Sequence, residues 1–68
     1  MNLILAGNHA QAMSYANEMG WKKDQWIYLF SIYDLRGVSG KLHKVGTFWR
    51  RKDYIEIEDY FNAKEASK

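Results

Sequence analysis

Apolar and polar positions divide the 68-residue chain into three short apolar runs and two stretches of helical period. Residues 2–6 (NLILA) are nearly continuous apolar, the pattern of a strand buried on both faces. Gly7-Asn8 breaks that run. Asn8 is a good helix N-cap, and Gln11 stands three residues on, where a capping-box partner belongs. Ala12, Tyr15, Ala16 and Met19 then recur at helical spacing until Gly20 closes the helix. Trp21 to Gln25 reads as a connection, and Trp26 to Phe30 (WIYLF) as a second strand, aromatic and β-branched. Ser31 can cap a single turn through Leu35 with Asp34 at its third position; Arg36-Gly37 ends it, and Gly37 to Gly40 is a turn. Leu42 to Phe48 (LHKVGTF) reads as the third strand, less apolar than the others and therefore an edge. Asp53 with Glu56 offers another capping box, ahead of a helix striped by Tyr54, Ile57, Tyr60 and Phe61, and the tail over 63–68 is expected to fray.

The order is β-α-β-turn-β-α. A strand, a helix of eleven or so residues and another strand make a βαβ unit with parallel strands. The expected fold is a single α/β domain over residues 1–68, its three-stranded sheet mostly parallel in the order 2-1-3, with helices packed on it. In such sheets ligands gather at the carboxyl ends of the strands, beside the point where strand order reverses. The segments meeting there are 6–9, 31–37 and 47–52. They are expected to bring Asn8, His9, Arg36, Trp49, Arg50 and Arg51 to one edge, with Gly7 and Gly37 as backbone anion donors near helix N-termini.

The same segments carry a resemblance. Ala6-Gly7-Asn8 with its Gln/Ala-rich helix, the turn Asp34-Leu35-Arg36-Gly37 and the strand end Val45-Gly46-Thr47-Phe48 resemble a set of small proteins of tailed bacteriophages that have no assigned activity, over most of residues 2–61. The resemblance implies a phage accessory protein with a Rossmann- or P-loop-like topology and carries over no catalytic residue. His43 and Lys44 depart from that family's more apolar third strand, which leaves the strand's register open.

Composition narrows the chemistry. A chain this short buries only about 60% of the surface its unfolded form exposes, so stability is marginal or helped by self-association. The open third strand and many aromatics make a homodimer the natural form of it. With no cysteine there is neither a disulfide nor a thiolate metal site, and with 16% aromatic residues the chain is too apolar to be disordered. No run reaches the roughly 18 apolar residues of a membrane span and no leader pattern opens the chain, so the expectation is a cytoplasmic protein away from membranes.

Nucleotide motifs are missing: the first turn is neither G-x-x-x-x-G-K-[ST] nor G-x-G-x-x-G, and Gly37-Val38-Ser39-Gly40-Lys41-Leu42 has the wrong spacing, ends in Leu and leads into a strand. His9 and His43 have no carboxylate at metal-ligand spacing, so no metal or cofactor is expected, and no residue is singled out as catalytic. His9 reads as exposed decoration, or as a donor to an anion or a general base.

Charge is segregated within a net +2. Residues 36–52 hold six cations and no acid, and residues 53–59 hold four acids and no cation. That pattern suits a solvated loop before a helix with acids in its first turns, or an anion-binding face. The richest signal is Phe48-Trp49-Arg50-Arg51-Lys52, where Phe48 reads as core. Rings interleaved with cations fit a protein–protein hot spot or a stacking site for unpaired bases, and they also fit a merely solvated edge. Glu56, Glu58 and Asp59 would repel phosphates within a Debye length of about 8 to 10 Å, so a host or phage protein is the favoured partner, nucleic acid the runner-up, and a minimal nucleotide or phosphate site the enzyme-class alternative.

Overall fold

A computed structural model describes residues 1–66. Three strands, β1 (Asn2–Ala6), β2 (Trp26–Tyr28) and β3 (Lys41–Val45), form one parallel sheet in the order β2-β1-β3, as the chain pattern predicts. Leu3 aligns with Ile27 on one side and with Leu42 on the other. Helix α1 (His9–Met19) covers one face and helix α2 (Tyr54–Ala66) the other.

Alternation along β1 divides the core. Leu3 and Leu5 pack with Leu29, Leu35 and Ile57 on the α2 side, while Ile4 and Ala6 pack with Ala12 and Ala16 on the α1 side. The two alanines let α1 approach closely, and Tyr15, Trp21, Trp26 and Tyr28 wall the resulting cluster. Met19, expected in the helix's apolar stripe, is exposed instead. The α2 stripe forms as expected: Ile57 is buried, with Tyr54, Tyr60 and Phe61 packed around the same cluster.

Caps follow the local signals. Asn8 Oδ1 accepts the Gln11 N–H at 2.9 Å, and Gly20 ends α1 at φ 73°. Ser31 Oγ accepts from Tyr33 N–H, and Asp34 Oδ2 accepts from Ser31 N–H at 3.0 Å, setting a 3₁₀ turn over Ile32–Leu35.

Three boundaries differ from expectation. β2 stops at Tyr28 because Asp34 Oδ2 takes the Phe30 N–H at 2.7 Å and pulls the chain into the turn. β3 runs Lys41–Val45 rather than to Phe48, since Gly46 at φ 60° turns the chain and Phe48–Arg50 coil into a 3₁₀ turn. Asp53 gives its carboxylate to Arg51 rather than to a capping box with Glu56. The helix also continues to Ala66 through most of the tail expected to fray, anchored by Lys64, whose Nζ donates to the carbonyls of Leu35 and Val38. The same expectation for residues 67–68 lies outside the described residues.

The polar third strand keeps a full register, Asn2 with Lys41 through Ala6 with Val45, and its two central polar side chains find partners within the fold. His43 lies between Asn2 and Tyr15, and Lys44 pairs with Glu58 at 3.0 Å.

Candidate interaction surface at the carboxyl edge of the sheet

Both gaps in the sheet are closed at the carboxyl edge by side chains. Between β1 and β3, where the strand order reverses, Gln11 Oε1 accepts the N–H groups of Gly7 (2.9 Å) and Thr47 (3.1 Å), while Gln11 Nε2 donates to Thr47 Oγ1. The fit is tight: a Cβ on Gly7 would run into Thr47 Oγ1, and one on Gly46 into the Gln11 amide. Between β1 and β2, Arg51 Nη1 donates to the carbonyls of Ala6 (3.1 Å) and Leu29 (2.6 Å), and Nη2 to that of Phe30 (2.8 Å). Asp53 grips the other side of the guanidinium through both oxygens at 3.0 Å, and the group lies over the Tyr28 ring.

This arrangement corrects several expected roles. Gly7 is no anion donor, because its N–H is engaged by Gln11. Arg51 is no external partner; its side chain is only 10% exposed and all its contacts are internal. Arg36 and Gly37 are carried away from the edge. The flanking carbonyls of Leu35 and Val38 bind Lys64, which lies ten residues, about 15 Å of helix, beyond the first residue of α2. Arg36 stacks on Tyr33 there, 5.1 Å from the ring centre, and Gly37 at φ 74° makes the turn toward β3.

The remaining residues lie on the segments that leave the edge. Asn8 is exposed as the α1 cap, and His9 in the next position lies over β2, 5.5 Å edge-on to Tyr28 and 6.0 Å from Trp26. Tyr28 in turn meets Phe30 at 6.5 Å. Trp49 is 57% exposed with Arg50 stacked on it at 5.6 Å, and Phe48 is half-buried, edge-on to Tyr54 at 5.9 Å. Residue types alone passed over Phe30 (75% exposed) and Tyr33 (66% exposed), the first read as the end of the second strand. Their signal lay in Ser31 and Asp34, since a cap pair straight after an apolar run ends the strand and turns the last ring outward.

Electrostatically, the edge keeps cations free and acids engaged. Asp34 holds two backbone N–H groups and Asp53 holds Arg51, whereas Arg50 and Lys52 are exposed. Glu58 is drawn against the sheet by Lys44, leaving Glu56 and Asp59 outside. Among the described residues no three His, Asp or Glu side chains come together as a metal-binding group, and no helix is long and apolar enough to cross a membrane. No family model, curated protein or solved structure matches the chain.

Proposed function

We propose that this chain is a non-enzymatic accessory protein, phage-encoded on the resemblance of its motifs and acting in the host cytoplasm, which binds a host or phage protein through the carboxyl edge of its sheet. The observation that carries the reading is the exposure of Trp49, stacked by Arg50, on an edge whose own backbone groups and acids are already engaged by Gln11 and Arg51. An exposed Trp–Arg pair has the residue types that dominate protein–protein hot spots. A phosphate or nucleotide site loses support at the same place, because the strand-order crevice holds the Gln11 amide instead of open N–H donors.

The test is affinity capture from a bacterial lysate, with and without nuclease, using the parent chain and a Trp49→Ala/Arg50→Ala variant, followed by rebinding of the purified partner. Arg51 is left intact because its loss would disturb the fold. A protein retained through nuclease and lost with the variant supports the reading. Capture abolished by nuclease replaces it with the nucleic-acid alternative, and capture indifferent to the variant removes the edge as the binding surface.

A further inference from the structure

The sheet has a second open surface, the outer side of β3. Lys41 N–H donates to Met1 O, so Lys41, His43 and Val45 turn their backbone groups toward β1, and Leu42 and Lys44 turn theirs outward, where the order β2-β1-β3 leaves no strand among the described residues. Edge strands are commonly guarded by lysine, but the Lys44 ammonium is drawn onto the α2 side by Glu58. Grooves flank the strand on both faces. One of about 440 Å³ on the α1 side is lined by Ser14, Tyr15, Glu18, Val45 and Gly46; one of about 670 Å³ on the α2 side is lined by Met1, Gly40, Leu42, Phe61 and Glu65, with Lys41 at the start of β3 on its rim.

We propose that a second copy of this chain occupies this edge, β3 pairing antiparallel with β3 about a two-fold axis at His43 to make a continuous six-stranded sheet. Self-complementarity selects that register. Leu42 and Lys44, the two outward-facing residues of the strand, sit opposite Lys44 and Leu42 of the second copy and exchange four hydrogen bonds. Lys41 of the second copy then stands opposite Val45, on the α1 face, at the groove that Glu18 rims. The contact is repeated by symmetry, giving two Lys41–Glu18 charge pairs. Moving the axis to Lys44 would set two lysines side by side, and moving it to Leu42 would put Lys41 beside His43 and away from Glu18. On the opposite face the Lys44 stem of the second copy covers Leu42 beside the Phe61 groove.

The test is sedimentation velocity of the full chain from micromolar to several hundred micromolar, on the parent, Glu18→Lys, Lys41→Glu, the double swap, and a chemically synthesised chain N-methylated at Leu42. Leu42 N–H points away from β1, so methylation blocks the edge while keeping the β1–β3 ladder, and circular dichroism checks that each chain is folded. The expected result is a dimeric parent, association weakened about tenfold in each single swap and recovered in the double swap, and a single-chain mass after N-methylation. A parent that stays at single-chain mass throughout, or a dimer indifferent to N-methylation, overturns the proposal; so does a double swap no stronger than the single ones, even if the methylated chain fails to fold. Trp49→Ala/Arg50→Ala should dimerise like the parent, which separates this edge from the carboxyl one.

Discussion

Removing the Arg51 guanidinium would strip the carbonyls of Ala6, Leu29 and Phe30 of a donor and leave Asp53 without its counter-charge. Because the side chain is only 10% exposed, Arg51→Ala should destabilise the fold by about 3 kcal/mol, the loss typical of one partner removed from a buried pair. Arg51→Lys should recover only part of that, since one ammonium cannot span two strands and a carboxylate. Urea denaturation of both variants measures it, and an Arg51→Ala chain as stable as the parent would return the residue to solvent. His43 is the other residue with a defined chemical state. Asn2 Nδ2 donates to Gln25 O, so Asn2 Oδ1 faces His43 Nε2 at 3.2 Å and Nε2 carries the proton, leaving Nδ1 to accept from Tyr15 OH. Burial, and then the neighbouring Lys41, hold this imidazole below its ordinary value of about 6.5. Above that value both folded and unfolded chains are neutral there; below it the unfolded chain takes up a proton that the folded one resists, so stability falls as pH drops through 6.5 toward the folded value. Melting temperature measured down from pH 7.5 should decline more steeply for the parent than for His43→Gln.

Elements in this chain are delimited by glycines that do different work. Gly20 and Gly46 both have positive φ, but a Cβ at Gly20 meets nothing whereas one at Gly46 collides with the Gln11 amide. Gly20→Ala should therefore cost about 1 kcal/mol for conformation alone, and Gly46→Ala about 2 kcal/mol or more once Gln11 is displaced from Gly7 and Thr47. Equal shifts in the denaturation midpoints would mean that Gln11 does not hold the two loops together. These two glycines also show what local pattern could and could not reveal. Asn8, Gly20, Ser31 and Asp34 act on neighbours within four residues, so both caps, the βαβ unit and the strand order were legible. Gly46 depends on a side chain 35 residues earlier, and Val45-Gly46-Thr47-Phe48 otherwise alternates like a strand, so the end of β3 was not. Arg51 is the extreme case: a run of three cations does not reveal which one is pulled inside by carbonyls 21 to 45 residues away.

At the scale of the molecule, nine buried apolar residues among those described form a core split over two faces of the sheet, and no buried side-chain nitrogen or oxygen among them lacks a hydrogen-bond partner. Stability therefore rests on apolar packing and the two side-chain closures at the carboxyl edge, with little drawn from the segregated charges outside. Two ion pairs join described residues: Arg51–Asp53 is sheltered from salt by the burial of Arg51, and Lys44–Glu58, whose lysine is half exposed, is worth at most about 1 kcal/mol. Raising sodium chloride from low to near-molar concentration should hence move the melting temperature by no more than about 6 °C, the shift that roughly 1 kcal/mol produces in a domain of this size. Capture of an acidic protein partner by Arg50 and Lys52 should respond over the same range through a slower on-rate, since exposed rim charges chiefly steer encounter. A melting temperature that fell much further in salt would mean that the cations of 36–52 and the acids of 53–59 attract one another across the fold beyond these two pairs. They would then be part of its stability rather than a surface held ready for something else.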